Sequence, residues 1–219
     1  MRLALSVEGS NISFFVRDGA DISALREIFA EGEYSFDMLP PVTPRHIADL
    51  GAHIGTSVLY FHTIYPQARI TAYEPDPENF KLLLKNVSAL PQIECVNAAV
   101  AGTAGTVLFH QNIGSSTRSS LARLDGSNEG IEVASMRFDD VIQDGVDFVK
   151  FDIEGAEDEL FSAASPEDIR KVSRYVGEFH HYLIPKTNEE FERLFPGFTS
   201  TWKSRGHNVS IVAILPSIP

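Results

Sequence analysis

The sequence predicts an α/β fold built around a mostly parallel β-sheet. From residue 45 onwards, short apolar runs of strand length alternate with segments of helical periodicity, the pattern of parallel strands joined by right-handed crossovers. Towards the C-terminus, two apolar runs flank a short polar turn and predict a closing antiparallel hairpin. The chain has 219 residues, of which 43% are hydrophobic, and this suffices for one such domain with a modest N-terminal addition.

The N-terminal part predicts a small extension to the main domain. Within residues 1–17, two β-prone runs joined by a polar turn predict a hairpin. Asp21 is placed to cap a short helix. The predicted apolar face of that helix carries Ile22, Leu25, Ile28 and Phe29. Three prolines then interrupt the chain, so we divide it into an extension at 1–44 and a main domain at 45–219.

The first half of the main domain alternates strands and helices. Pro66 ends the first helix. The second helix begins with Asp76 as N-cap, Pro77 at the first helical position and Glu78 in the first turn. The predicted elements are a strand at 45–50, a helix at 55–65, a strand at 69–73, a helix from 77 to 90 and a strand at 93–96.

The second half of the main domain contains a polar interruption. Residues 111–130 are rich in serine, glycine and asparagine and predict a mobile loop. Ser165 and the Pro-Glu-Asp that follows it predict a capped helix start. The predicted elements are a short strand at 107–110, strands at 148–151 and 172–178, a helix at 188–194 and closing strands at 198–203 and 208–215.

The most informative stretch is the turn between the first strand of the main domain and its helix. The strand ends at Asp49, and the turn passes through Gly51, Ala52 and Gly55. Small residues let a ligand approach the backbone, and free amide groups at the helix start can bind polar ligand atoms. Glu74 ends the next strand, where a carboxylate can accept hydrogen bonds from a ribose diol. This arrangement predicts a pocket for a nucleoside cofactor.

The glycine spacing favours S-adenosylmethionine over NAD. A dinucleotide site uses G-x-G-x-x-G, so that the backbone can approach a pyrophosphate. Here three residues separate Gly51 from Gly55, and His53 stands where the second glycine of that motif would be. A bulky ring would crowd a pyrophosphate, and Asp49 would repel one while suiting an ammonium or sulfonium group. An NAD-linked oxidoreductase and a non-catalytic nucleoside-binding protein remain the alternatives.

Composition narrows the expected partners and location. A formal charge of −12 and a pI near 4.9 argue against nucleic acid as a partner, since binding to its backbone depends on lysine and arginine. Cys95 is the single cysteine, which suits a reducing compartment. The sequence shows neither a signal-like N-terminus nor an apolar stretch of membrane-spanning length. We therefore expect a cytoplasmic protein with no membrane partner, acting on a small molecule, and leave a homodimer open.

A second group of polar residues follows the strand at 148–151. Asp152 and Glu154 come directly after this strand, and ligands of open parallel sheets bind at the carboxyl ends of the strands. We therefore assign both to the site. The acids Glu157 and Asp158 are explained by the preference of helix N-termini for negative charge.

His180 ends the next predicted strand, and strand alternation places Glu178 on the same side. A histidine there can take a proton from a hydroxyl or amine near neutral pH. We predict that His180 or Asp152 is the general base of the reaction and that Glu154 orients the substrate. Asp152, Glu178 and His180 could also hold a divalent ion. Their spacing does not enforce this, and we expect no resident metal.

The segment after the strand at 93–96 completes the expected cofactor contacts. Asn97 and Ala98 lie where an amide side chain or a backbone amide can read the edge of an adenine. Pro75 follows Glu74 at the same edge of the sheet and is assigned to the cofactor site with them. A plain strand-to-loop turn at 97–99 is the alternative.

These motifs together resemble a known family. They are the Asp49–Gly55 turn, the Tyr-Glu-Pro-Asp run at 73–76, the Asn-Ala-Ala-Val run at 97–100, the Lys-x-Asp-x-Glu-Gly-x-Glu run at 150–157 and the Glu-Phe-His run at 178–180. In this order and at this spacing, the chain resembles the FkbM-type S-adenosylmethionine-dependent methyltransferases over residues 45–181. His53 departs from the pattern, because the family often has asparagine there.

The resemblance implies a seven-stranded, Rossmann-like class I methyltransferase fold. It also implies O-methylation of a hydroxyl on a sugar, polyketide or other secondary metabolite. By the same resemblance, Asp152 and Glu154 would face the methyl-transfer centre. The implied cofactor contacts are Gly51, Ala52 and Gly55 for the methionine moiety, Glu74 for the ribose, and Asn97 with Ala98 for the adenine.

Overall fold

A computed structural model of the protein describes residues 1–7, 10–34, 43–110, 130–205 and 208–217. Its strands are β1 (Arg2–Val7), β2 (Ser10–Phe15), β3 (His46–Leu50), β4 (Arg69–Tyr73), β5 (Ile93–Val96), β6 (Ala99–Val100), β7 (Gly105–Phe109), β8 (Ile131–Met136), β9 (Phe148–Phe151), β10 (Arg174–His180), β11 (Phe198–Ser204) and β12 (Val209–Pro216). Its helices are α1 (Gly19–Phe29), α2 (Thr56–Ile64), α3 (Pro77–Val87), α4 (Phe138–Ile142), α5 (Glu157–Ala163), α6 (Pro166–Lys171) and α7 (Asn188–Glu192).

The main sheet has seven strands in the order β5-β4-β3-β9-β10-β12-β11. The strands from β5 to β10 run parallel, β12 pairs antiparallel with β10, and β11 pairs antiparallel with β12. The predicted α/β fold with a mostly parallel sheet and a closing hairpin is therefore confirmed. The chain moves outwards from β3 to β5 and then returns to β9 on the other side of β3. This reversal creates a switch point between β3 and β9, where such sheets bind ligands.

Both faces of the main sheet are covered by helices. Helices α1, α2 and α3 contribute to one apolar cluster, and α4 to α7 contribute to the other. All five residues of β3 are buried as a result, including the polar His46 and Asp49. In the part of the chain that the structure describes, no helix has both the length and the hydrophobicity to cross a bilayer.

The predicted hairpin and helix of the extension are present, but one cap is corrected. Asp18, not Asp21, is the N-cap of α1, and its side chain accepts hydrogen bonds from the backbone N–H groups of residues 20 and 21. Asp21 is instead buried and paired with Arg17 at 2.9 Å. Leu25 and Ile28 face the core as expected, whereas Ile22 is exposed. The division at residue 44 stays a prediction.

Asn86 on α3 joins the extension to the main domain. Its side-chain oxygen accepts a hydrogen bond from the Phe15 N–H at 2.7 Å, and its amide donates to the Phe15 carbonyl at 3.1 Å. The same amide donates to the Ile54 carbonyl at 2.8 Å. One side chain therefore ties the hairpin to the turn between β3 and α2.

A second, three-stranded sheet was only partly predicted. Its order is β6-β8-β7, and the expected strand at 107–110 corresponds to β7. Strands β6 and β8 and helix α4 were not predicted, although β8 shows a period-two burial pattern over most of its length. The loop predicted at 111–130 lies, except for Gly130, outside the described residues.

Candidate active site

The polar residues singled out from the sequence surround a cavity at the carboxyl edge of the main sheet. Its volume is about 650 Å³, a size typical of small-molecule sites. The turn after β3 and Glu74 after β4 line one part, and Glu178 and His180 of β10 line another. The extension contributes Glu33 and Tyr34. The cavity therefore lies at the switch point of the sheet and is bordered by both parts of the chain.

Two glycines shape the turn between β3 and α2. Gly51 has a φ of +79°, and a Cβ there would lie 1.9 Å from the carbonyl oxygen of Asp152. Gly55 is the N-cap of α2 with a φ of +92°, and a Cβ there would lie 2.9 Å from Leu83. Both positions require glycine. Gly51 and Ala52 line the cavity, whereas Gly55 is not among the described residues that do so.

His53 occupies a left-handed backbone position in the same turn. Its φ is +50°, a conformation in which asparagine and histidine are enriched. The asparagine that the resembling family often has would therefore suit the same backbone. The His53 ring lines the cavity and lies 3.3 Å from Arg17 Nη2 and 3.4 Å from Asp21 Oδ1. Burial lowers the pKa of His53 to about 4, so the ring is neutral at physiological pH.

Glu74 is held rigidly at the end of β4. Its Oε2 accepts a hydrogen bond from the His53 N–H at 2.8 Å, and its Oε1 accepts one from the Asp76 N–H at 2.9 Å. The Asn79 amide donates to Oε1 at 3.3 Å. Burial raises the pKa of Glu74 to about 7 despite these hydrogen bonds. The structure thus presents to the cavity a carboxyl group that is fixed in place and titrates near neutral pH.

Asp49 lies beneath the turn and pairs with Lys150. Lys150 Nζ is 3.0 Å from Asp49 Oδ1 and donates to the Gly51 carbonyl at 2.7 Å. Ser57 Oγ donates to Asp49 Oδ2 at 2.5 Å. Burial alone would lower the pKa of Lys150, but Asp49 and Asp152 outweigh it and raise that pKa. Asp49 is fully buried and its charge is compensated, so direct contact between Asp49 and a cofactor stays a prediction.

Of the residues expected to contact the adenine, some line the cavity and one does not. Pro75 and Ala98 line the cavity. The Asn97 amide donates to the backbone carbonyls of Glu74 and Pro75 at 2.7 and 3.2 Å. The described lining does not include Asn97, so its side chain braces the strand end, and adenine recognition by Asn97 stays a prediction.

On the other side of β3, acidic residues converge on His180. Its Nε2 lies 3.5 Å from Glu154 Oε2, 3.6 Å from Glu178 Oε2 and 3.8 Å from Asp152 Oδ1. The structure therefore brings together the three residues predicted to act on the substrate, with Glu178 beside them. Burial, with help from the neighbouring carboxylates of Asp152 and Glu157, outweighs the attraction of His180 and raises the pKa of Glu154 to about 7.

Comparison with known proteins identifies the family to which the chain belongs. The family model for the Methyltransferase FkbM domain matches residues 49–202, which is more than half of the chain. The chain belongs to the FkbM methyltransferase family. The resemblance inferred from the sequence motifs is thereby confirmed.

Individual relatives of this FkbM methyltransferase agree with the assignment. Methyltransferase sdnD of Sordaria araneosa is 28% identical over 209 residues, covering 78% of this chain and 80% of that protein. The human methyltransferase 10 domain containing protein has a TM-score of 0.52 at 14% identity, covering 94% of this chain and 88% of its own. Human N-acetylserotonin methyltransferase in complex with SAM has a TM-score of 0.50 at 11% identity, covering 90% and 55%. These two structures show the shared class I methyltransferase fold.

Glu157 has a role in this FkbM methyltransferase that the sequence analysis missed. It begins α5 as expected, but it is fully buried and its Oε1 lies 2.7 Å from His180 Nδ1. Burial alone would lower the pKa of His180, but Glu157, Glu154 and Asp152 outweigh it and raise that pKa to about 9. The sequence signal for this role is that Glu157 ends the Lys-x-Asp-x-Glu-Gly-x-Glu run at 150–157. The preference of a helix N-terminus for negative charge accounts for an acid at this position but does not predict its contact with His180.

Arg205 closes the acidic side of the cavity and was also missed. Its guanidinium contacts Glu27 at 2.6 Å and Glu33 at 2.7 Å, and it donates to Glu178. Burial raises the pKa of Glu33 and of Glu178. These residues come from α1, the segment after it, β10 and the closing hairpin. No local sequence pattern connects positions so far apart.

Proposed function

We propose that this FkbM methyltransferase transfers a methyl group from S-adenosylmethionine to a hydroxyl group of a small molecule. The observation that carries the proposal is one cavity that joins the Gly51–Ala52 turn and Glu74 to Asp152, Glu154 and His180. Family membership supports methyl transfer. The human N-acetylserotonin enzyme, which shares the fold, is described in complex with SAM.

The residues around the turn fit an adenosyl sulfonium better than a dinucleotide. Glu74 is fixed by neighbouring N–H groups and lines the cavity, which suits the hydroxyl groups of a ribose. Lys150 and Arg17 lie beside the turn, but each is paired with a buried aspartate. Because Lys150 and Arg17 are both engaged in these ion pairs, neither of the two is available to hold a pyrophosphate. This disfavours the NAD-linked alternative.

When bound, the cofactor supplies an electrophilic methyl group on a sulfonium. The chain's own contribution begins with binding and alignment. Glu74 would accept hydrogen bonds from the ribose, and Pro75 and Ala98 would flank the adenine with apolar surface. The backbone of Gly51 and Ala52 would hold the methionine portion. Alignment of the acceptor oxygen with the methyl group is then the largest task of the fold.

Asp152 is our choice for the group that accepts the proton of the acceptor hydroxyl. Its Oδ1 is buried and makes no hydrogen bond with the residues that the structure describes. His180 is less suited, because its Nε2 faces three carboxylate oxygens that favour a proton on the ring. Glu154 accepts a hydrogen bond from Tyr182 at 3.1 Å and would orient the acceptor. A general base of this kind is worth about 10²–10⁴-fold in rate.

The acceptor is proposed to be a sugar, a polyketide or a similar hydroxyl-bearing metabolite. Carboxylates from Asp152, Glu154 and Glu178 offer acceptors to several hydroxyl groups, and the formal charge of −12 disfavours a nucleic acid. We place the reaction in the cytoplasm, because the free Cys95 suits a reducing compartment.

Calorimetric titration with S-adenosylhomocysteine, and with NAD for comparison, tests the cofactor assignment. We expect S-adenosylhomocysteine to bind and NAD not to bind. Glu74→Gln should weaken binding about tenfold or more, because a hydrogen bond to a charged group contributes about 1.5–3 kcal/mol. The matched control is Glu94→Gln, an exposed carboxylate on β5 that should leave binding unchanged. Preferential binding of NAD would overturn the proposal.

Turnover measurements test the assignment of the base. Asp152→Asn should slow methyl transfer about 10²–10⁴-fold. The same substitution should leave the affinity for S-adenosylhomocysteine nearly unchanged, because the side chain faces the acceptor. Wild-type turnover in this variant would remove Asp152 from the mechanism without affecting the cofactor assignment.

A further inference from the structure

Three potential metal ligands converge at the acidic side of the cavity. They come from Asp152, Glu178 and His180, which each offer one ligand atom, and these three atoms lie within 4.8 Å of one another. Asp152 follows β9, whereas the other two lie on β10, so the parallel pairing of these strands brings the ligands together. All three residues line the cavity, which gives an ion access from solvent.

The orientation of His180 independently indicates a metal ligand. Its Nδ1 is engaged by Glu157 at 2.7 Å, and both side chains are buried. Histidines that bind metals commonly donate their second N–H to a carboxylate in this way, which directs the other nitrogen at the ion. His180 Nε2 points at the carboxylate cluster, where it lies 3.5–3.8 Å from oxygens of Glu154, Glu178 and Asp152. Asp152 Oδ1 is buried beside it without a hydrogen-bond partner.

The distances between these ligand atoms suit a small divalent ion. An ion about 2.1 Å from each ligand separates neighbouring ligands by about 3.0 Å in octahedral and about 3.4 Å in tetrahedral coordination. His180 Nε2 lies 3.6 Å from Glu178 Oε2 and 3.8 Å from Asp152 Oδ1. Side-chain shifts of a few tenths of an ångström would therefore bring each carboxylate oxygen to a coordination spacing from the imidazole nitrogen. The two carboxylates, whose ligand atoms lie within 4.8 Å of each other, would close further around the ion.

Charge gives a further reason for a cation at this position. Asp152, Glu154, Glu157 and Glu178 all lie near the ring of His180. Arg205 contacts Glu178 and is shared with two other carboxylates, Glu27 and Glu33, while Lys150 Nζ lies 4.0 Å from Asp152 Oδ2 and is shared with Asp49. The carboxylates near His180 therefore outnumber the cations beside them. Several carboxylates in a buried space are costly unless they are paired or coordinate a metal. A divalent ion would compensate the excess charge.

We propose that Asp152, Glu178 and His180 form a binding site for a divalent metal ion. Carboxylate ligands favour Mg²⁺ and Mn²⁺, and the imidazole nitrogen shifts the preference towards Mn²⁺. The role of the ion rests on the proposed function, although its binding does not. The ion would bind the acceptor hydroxyl and make it more acidic. Because Asp152 Oδ1 would then be bound to the ion, the released proton would pass to Asp152 Oδ2 instead of Oδ1.

Titration with Mn²⁺ tests the proposal without an assay of activity. Binding is measured as the decrease in the electron paramagnetic resonance signal of the free ion. We expect wild-type protein to bind one ion. Glu178→Gln and Glu157→Gln should each weaken binding about 10–100-fold, the first through loss of a ligand and the second through loss of ligand orientation. Glu94→Gln is the matched control, because this exposed carboxylate on β5 lies outside the ligand set and should leave Mn²⁺ affinity unchanged.

Two results would overturn the metal site. One is the absence of Mn²⁺ binding to wild-type protein up to about 1 mM, the weak end of divalent-cation sites. The other is equal weakening by Glu94→Gln and Glu178→Gln, which would indicate only a general attraction of the cation to an acidic protein. S-adenosylhomocysteine binding, measured in parallel with a chelator present, reports whether each variant is folded. If that ligand binds and Mn²⁺ does not, the metal site fails and the proposed function stands.

Discussion

Protonation of Glu74 should weaken cofactor binding as the pH falls. Burial, together with the charge of nearby Asp76, raises the pKa of Glu74 to about 7. Hydrogen bonds from the N–H groups of Asp76 and His53 and from Asn79 act in the opposite direction but are outweighed. The ionised carboxylate can accept hydrogen bonds from both ribose hydroxyl groups, whereas the protonated acid has one oxygen committed as a donor. The cofactor should therefore bind the ionised form.

The size of the effect follows from this pKa. With a value of about 7, roughly 91% of Glu74 is ionised at about pH 8 and roughly 9% at about pH 6. Affinity for S-adenosylhomocysteine should then fall about tenfold across this range, which corresponds to about 1.4 kcal/mol. Below neutral pH, binding must also release a proton, because it selects the ionised carboxylate.

Calorimetry in buffers of different ionisation enthalpy measures both the affinity and the released proton. Glu74→Gln cannot titrate at this position, so its weaker binding should be independent of pH over the same range. Any titration of the ligand itself would appear in both proteins and cancels in the comparison. Wild-type affinity that does not change with pH, or an equal slope in Glu74→Gln, would refute the reasoning.

Two further predictions concern the turn and the ion pair beneath it. Lys150→Met should destabilise the protein by about 3–5 kcal/mol in urea unfolding, because it leaves the buried Asp49 carboxylate unpaired. Arg69→Met removes a half-exposed ion pair with Glu94 and should cost no more than about 1 kcal/mol, so equal losses in the two variants would count against the argument. Gly51→Ala should abolish S-adenosylhomocysteine binding and lower the melting temperature, since its Cβ would lie 1.9 Å from a carbonyl oxygen and φ is +79°. Normal binding by a fully folded variant would show that the turn tolerates a side chain.

Strands with strong local signals were predicted closely from the sequence. The bounds of β4, β5 and β9 match the predicted ranges, because each is a short apolar run that ends in polar or turn-forming residues. Asp76 caps α3 and Ser165 caps α6 as expected, since capping depends on only three or four consecutive residues.

Features that depend on distant residues were not predicted. Arg205 meets Glu27 and Glu33 only because the closing hairpin folds back against the extension. Strand β6 has two residues and is defined by its pairing with β8, so its own sequence carries almost no signal. The sequence offers Asp18 and Asp21 as possible caps of α1, and the structure shows that Asp18 caps the helix. Asp21 instead pairs with Arg17, a contact that the local pattern does not reveal.

The attachment of the N-terminal hairpin has a consequence for shortened forms of the protein. A polypeptide starting at residue 45 would keep every strand of the main sheet. It would nevertheless lose the backbone of Phe15, which makes two hydrogen bonds with the Asn86 side chain. It would also lose Arg17 and Asp21, which contact the ring of His53. Such a fragment would also expose the core residues that α1 covers, so we expect it to be less stable and to hold the cofactor loosely. We therefore expect catalysis to require the N-terminal extension.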